Sequence, residues 1–201
     1  MQGQEKKLNG MRVAILVDTD FEQVEMTEPR KALESAGAKV TLISTQAGQT
    51  QGMNHDQKAD TFKVDMTLDQ ANPDDFDALQ LPGGALNADK LRTVPQALEF
   101  VKDFDEKDKP MAIICHAPWM LASANLVKGR NLTSYYTIQD DIRNAGGHWL
   151  DEAAVRDHNW VTSRSPDDIP NHFNPAMIEL FTEFRTRQQK QQKHPGIVYT
   201  S

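Results

Sequence analysis

The chain has 201 residues, 38% of them hydrophobic and 25% charged, which suits one globular domain with a substantial core. A net charge of −7 argues against a nucleic-acid or anionic-membrane surface, and no apolar run approaches the roughly 20 residues that span a bilayer. The single cysteine excludes an internal disulfide, and the opening MQGQEKKLNG lacks the apolar stretch of a secretory signal, so a reducing, cytoplasmic setting is expected.

Taken in chain order, MRVAILVD (residues 11–18) is a continuous apolar run, the pattern of a strand buried on both faces. PRKALESAG (29–37) predicts a helix, with Pro29 in its first turn and Gly37 as its stop. AKVTLIS (38–44) predicts a second strand. A polar segment, 45–60, follows, and TFKVDMTL (61–68) alternates like a hairpin arm or an edge strand. NPDD (72–75) is a turn, and FDALQLPGG (76–84) a strand that ends in two glycines. Gln80 is the one amide in that otherwise apolar strand, so a polar neighbour or an edge position is expected for it.

A helix is predicted over 94–108, a central strand over 110–115 and a helix over 117–127. NLTSY (131–135) reads as a strand, 138–147 as a helix with a glycine stop, and 148–163 as two short strands around a turn at 157–159. NPAMIELFTEFRTR (174–187) closes the domain as an amphipathic helix. Strands alternating with helices predict a mostly parallel sheet covered on both faces, a single-domain α/β sandwich over 11–187. Residues 1–10 and 188–201 are expected to be polar tails, the second flexible. No internal repeat or divided-domain linker is present.

In such sheets reactive groups gather beyond the carboxyl ends of the strands. Three strand ends carry candidates: DTDFEQVE, PGG and CHAPW. Cys115 stands where the central strand turns into a helix. A nucleophile on such a turn is held above the sheet, and the helix start offers amides that lower a thiol's pKa and hold an oxyanion. The plainer reading is a small buried hydrophobe, the usual state of a free cysteine. His116 need not serve as a base merely because it is adjacent, since neighbouring side chains usually diverge. Glu22 and Glu25, taken singly, read as solvated carboxylates, and Gly83 and Gly84 as a tight turn or a backbone approach to substrate.

Several segments in order resemble one family: FEQVE (21–25), FKVDMTLDQANPDDFDALQLPGG (62–84), ADKLR (88–92), KPMAIICHAPW (109–119), GRNLTSY (129–135), DDIRNAGGHW (140–149) and NWVTSRSPDDIP (159–170). Together they resemble the ThiJ/PfpI superfamily, in its PfpI-like branch, with the class I glutamine amidotransferase-like (flavodoxin-like) fold and a nucleophile elbow after a central strand. The resemblance implies Cys115 as nucleophile, with Glu22 against its sulfur, protonated and sharing a proton with it. It implies His116 as the second catalytic member, completed by Asp89 from a neighbouring subunit of a homo-oligomer, a dimer or larger. It also implies an oxyanion hole from the Gly84 and His116 amides, with Gly83, Ala117 and Tyr135 around the substrate. Asp89 is one methylene shorter than the Glu of that branch, and Ala117 replaces a Gly common there, which would narrow the pocket.

A biosynthetic glutaminase would carry a later His-x-Glu pair. None of His148, His158, His172 or His194 is followed two positions on by Glu. No metal-ligand spacing and no phosphate-loop pattern is present, so no cofactor or metal is expected. What the resemblance implies is a stress-associated cysteine hydrolase or lyase acting on reactive dicarbonyls or early glycation adducts. The alternatives are an intracellular cysteine peptidase and a non-enzymatic redox sensor or holdase. The partners expected are a small or glycated substrate and further copies of the chain.

Overall fold

The computed structural model describes residues 6–193. Its centre is a seven-stranded sheet built on β1 (Arg12–Val17), β3 (Lys39–Ser44), β7 (Ala78–Leu81) and β8 (Met111–Ile114). The edges are β6 (Met66–Thr67) on one side, and β12 (Trp160–Ser163) followed by β11 (Ala154–Asp157) on the other. The order is β11-β12-β8-β7-β1-β3-β6, and only the β11–β12 pair is antiparallel. The buried patterns of β1, β7, β8 and β12 explain their near-unbroken apolar runs: side chains on both faces meet a layer of helices.

One face is covered by α1 (Gln23–Ser35) and α6 (Asn174–Lys193), whose Leu33, Met177, Leu180, Phe181 and Phe184 pack on Val13, Ala78, Ala112 and Ile114. The other is covered by α2 (Ala85–Leu91), α3 (Pro95–Glu106), α4 (Pro118–Ser123) and α5 (Gln139–Asn144). From these, Leu91, Phe100, Val101, Phe104, Met120, Leu121 and Ile142 pack on Ala14, Leu16, Leu79, Leu81, Met111 and Ile113. The expected α/β sandwich with a mostly parallel sheet is therefore the fold observed.

Several elements differ from the sequence expectation. α1 begins at Gln23, not at Pro29, which lies inside the helix. The polar segment after β3, to which the sequence pattern assigns no element, is largely strand. It forms β4 (Gln49–Asn54), which pairs with β2 (Phe21–Glu22) and makes an antiparallel hairpin with β5 (Gln57–Lys63). The stretch 61–68 thus supplies both a hairpin arm and the edge strand β6. The loop after Gly84 is helical, as α2. Residues 148–163 hold β10 (His148–Trp149), paired with β9 (Asn131–Leu132), in addition to the β11–β12 hairpin. α6 runs past residue 187 to Lys193, and Leu8, in the stretch expected as a polar tail, is fully buried against the α1 and α6 layer. Residues 1–5 and 194–201 of the two expected tails lie outside the described residues.

Candidate active site

Cys115 follows β8 directly, with φ of +63°, a left-handed conformation costly for a side-chain-bearing residue. The surroundings hold it there. Its N–H donates to Ser163 O at 3.0 Å, its carbonyl accepts from Tyr135 N–H at 2.8 Å, and Ala117 N–H closes the turn on Ile114 O at 3.1 Å. The end of β12 and the segment after β9 therefore fix the elbow expected from the strand-to-helix pattern. The conformation also answers the question about His116. With the backbone turned at Cys115, the two adjacent side chains converge, and Cys115 Sγ lies 3.1 Å from His116 Nδ1.

His116 is half-buried. Its ring stacks on Tyr135 at 4.8 Å, and Nε2 lies 3.4 Å from Thr137 Oγ1. Burial lowers its pKa from the ordinary value, so the neutral imidazole, able to accept a proton, prevails at neutral pH.

The carboxyl against the thiol is Glu25, not Glu22. Glu25 is fully buried, and its carboxyl lies beside the Cys115 thiol and perturbs it. Its Oε2 accepts the Gly83 N–H at 2.8 Å, while Oε1 is buried with no hydrogen-bond partner. Burial pushes the Glu25 pKa up to about 8, so the acid is protonated at neutral pH. Glu22 caps the start of α1 three residues earlier and turns toward the β4–β5 hairpin, where its Oε2 accepts the His55 N–H at 3.1 Å. The physical reason is helical spacing: once α1 begins at Gln23, Glu25 sits in its first turn facing the sheet end.

Burial and the Glu25 carboxyl push the Cys115 thiol well above its ordinary pKa, and the N–H groups of Gly84 and His116 oppose this only in part, so the resting form is the thiol. Those two amides face the sulfur, as an oxyanion hole beside it requires. Gly83 has another part. Its N–H is committed to Glu25, and an added Cβ would come within 2.6 Å of Glu25 Oε2 and 2.7 Å of Cys115 Cβ. Gly84 has φ of +89°, and a Cβ there would meet the Glu22 amide nitrogen at 2.6 Å. Both glycines permit close approach of backbone to site.

These groups open into a pocket of about 440 Å³. Its walls include Cys115, His116, Tyr135, Gly84, Glu22 and Glu25, together with Asp20, Met53, His55, Leu86 and the Ser165–Pro166–Asp167 loop. Ala117 does not line it: its methyl is buried in the helix-covered core on the far side of the elbow, so it narrows nothing. Asp89 is exposed on α2 and reaches no group of this pocket within the chain. The residues that sequence reasoning missed are His55 and Asn87. Buried Asn87 accepts the Asp18 N–H at 2.6 Å and donates to Pro82 O and Gly83 O, tying the glycine loop to the end of β1. An Asn three residues after Gly84 was the available signal. His55 carried none, because the hairpin that presents it reads only as a polar segment. Among the described residues no group of three or more His, Cys, Asp or Glu is placed to hold a metal ion. No described helix is long and apolar enough to cross a membrane.

Comparison with known proteins agrees with this geometry. The chain is 41% identical over 169 residues to YraA of Bacillus subtilis (strain 168), which carries a provisional cysteine protease name, covering 84% of this chain and 97% of that one. It is 41% identical over 159 residues to the protein named Deglycase PfpI of Pyrococcus furiosus, covering 79% and 93%. The solved structure of a ThiJ/PfpI domain protein from Brachyspira murdochii superposes with a TM-score of 0.79 at 22% identity, over 86% of this chain and 96% of that one, a likeness of fold. Residues 11–180 match the model of the DJ-1/PfpI family, the span that carries the elbow, the buried acid and the glycine loop, and the chain belongs to that family.

Proposed function

We propose that this protein is a PfpI-like cysteine hydrolase or lyase of small reactive carbonyls and their early adducts on amino groups, a deglycase or glyoxalase type of activity. The observation that carries the reading is Cys115, held at positive φ with Glu25, His116 and two backbone amides converging on its sulfur. The names of the relatives point the same way: several are called deglycases.

Neutral His116 accepts the thiol proton through Nδ1, and the thiolate is held by the Gly84 and His116 N–H groups and by protonated Glu25. The sulfur adds to an aldehyde carbon. The C–S bond forms, the carbonyl electron pair moves to oxygen, and that oxygen takes up a proton to give a hemithioacetal. For a 1,2-dicarbonyl, transfer of the C1 hydrogen as a proton to C2 gives a 2-hydroxyacyl thioester. Water then cleaves the thioester to a 2-hydroxy acid and the free thiol. His116 and Glu25 carry the protons. For a hemiaminal adduct, the C–N bond breaks as the hydroxyl gives up its proton and the nitrogen takes one, the amine leaves, and the thiolate adds to the freed aldehyde to give the same hemithioacetal and then the thioester.

The pocket supports a small substrate over a folded protein. Its mouth carries Asp20, Glu22 and Asp167 and no Lys or Arg among its lining residues, which suits neutral or cationic adducts better than anionic ones. Asp89, exposed one helix away, is assigned to a neighbouring copy's His116, and self-association as a dimer or larger goes with it. A reducing, cytoplasmic setting and a role under carbonyl stress belong to the same reading.

The test is turnover of methylglyoxal and of a methylglyoxal-modified arginine by the wild type, Cys115→Ser, Glu25→Gln and His116→Ala, with product acid measured so that scavenging is not counted. Cys115→Ser abolishes turnover, and each of the other two lowers kcat by roughly 10²-fold. Undiminished product from Cys115→Ser would refute the assignment.

A further inference from the structure

We infer that Gln80 is a positioning residue for the Glu25 carboxyl, acting together with Pro29 through the Glu25 backbone carbonyl. Gln80 is fully buried in the central strand β7, in register with Ile15 on one side and Ala112 on the other. An amide there is unfavourable unless it is bonded. Its Nε2 donates to Glu25 O at 3.1 Å. That carbonyl needs an outside donor for a reason written in the sequence: the residue four positions on, which in a helix supplies the N–H, is Pro29, and proline has none. The missing rung of α1 falls at the residue whose side chain meets the thiol, and the sheet fills it.

Glu25 is then gripped at both ends by one segment. Gln80 holds its main-chain carbonyl, and Gly83, three residues along, holds its Oε2 at 2.8 Å. The same segment leads into Gly84, whose amide faces the sulfur. Strand β7 therefore sets the carboxyl and one oxyanion donor as a unit against Cys115 on the adjacent strand. Gln80 Oε1, by contrast, is buried without a partner. Only the amide's donor half is engaged, and it is engaged on the one α1 carbonyl that belongs to the residue beside the thiol.

This inference rests on Cys115 and Glu25 being the reactive pair, and its test needs no substrate. The rate of Cys115 alkylation by iodoacetamide is measured against pH for the wild type, Gln80→Met and Pro29→Ala/Gln80→Met, with urea unfolding run alongside. Methionine keeps the volume and removes the donor. Alanine at position 29 returns a helical N–H to the same carbonyl. Gln80→Met moves the pH–rate profile and lowers the rate at pH 7 roughly tenfold, as a small misplacement of a reacting group does. The double variant returns the profile to that of the wild type, and in a Glu25→Gln background Gln80→Met moves nothing. A wild-type profile in Gln80→Met, whatever its stability, would overturn the inference, as would a double variant displaced as far as the single one. If Gln80→Met does not fold, a double variant that folds with the wild-type profile supports the inference, and one whose profile is displaced overturns it. Because alkylation is independent of turnover, failure of the carbonyl-chemistry reading leaves this result standing.

Discussion

Glu22 and Glu25 are three residues apart, equally acidic by composition, and opposite in surroundings. Glu22, 8% exposed, lines the pocket wall and accepts a hairpin N–H, whereas Glu25 is sealed beside a thiol and held protonated up to about pH 8. The sign of its linkage follows. The folded chain keeps a proton that the unfolded chain releases above about pH 4.5, so this contribution to stability is full below that pH and is lost as pH rises toward about 8. Glu25→Gln has no such loss. Urea denaturation across this range will show the variant gaining on the wild type as pH rises, with a slope approaching about 1.4 kcal/mol per pH unit. A constant difference would mean that Glu25 is ionised in the fold. At Gly83 the crowding predicts that Gly83→Ala costs about 3 kcal/mol, measured in the same way, because Cys115 Cβ and the Ile114 carbonyl oxygen cannot give way. Cys115 was legible in the sequence from the strand-to-helix turn. The choice between the two acids was not, because it depends on where α1 starts.

That start is a matter of elements. Pro29 suits a first turn by propensity, and the reading that placed it there hid the first six residues of a helix beginning at Gln23. The fold overrides the preference because Gln80, from another strand, bonds the carbonyl that Pro29 leaves open. No local pattern carries that information. The same holds for β4, whose polar run QTQGMN forms a strand only because β2 and β5 flank it. Buried strands and amphipathic helices, by contrast, were readable directly. In α6, Met177, Leu180, Phe181 and Phe184 recur at helical spacing and are the residues that cover the sheet. Phe181→Ala is accordingly expected to destabilise the protein by about 3–5 kcal/mol in denaturant unfolding. Its alkylation profile at Cys115 should stay that of the wild type, since α6 supplies no pocket wall.

At the scale of the whole molecule, the alternation of strands and helices announced the fold, and the site lies where such folds place it, beyond the carboxyl ends of β1, β7 and β8. Assembly is written less plainly. Leu86 and Tyr136 are 58% and 60% exposed, one on the pocket wall and the other packed at a tilt against Tyr135 beside it, and Asp89 shares a helix with Leu86. If a second copy covers this mouth, sedimentation velocity will find the wild type as a dimer or larger, and Leu86→Asp will shift it toward monomer. A monomeric wild type would remove Asp89 from the mechanism. The most direct single measurement is the pH dependence of turnover of methylglyoxal-modified arginine by the wild type and Cys115→Ser. Product acid formed by the wild type near neutral pH, falling as Glu25 ionises above about pH 8 and absent from the variant, is the predicted result. Equal product from both proteins, or none from either while Cys115 alkylates readily, would contradict it.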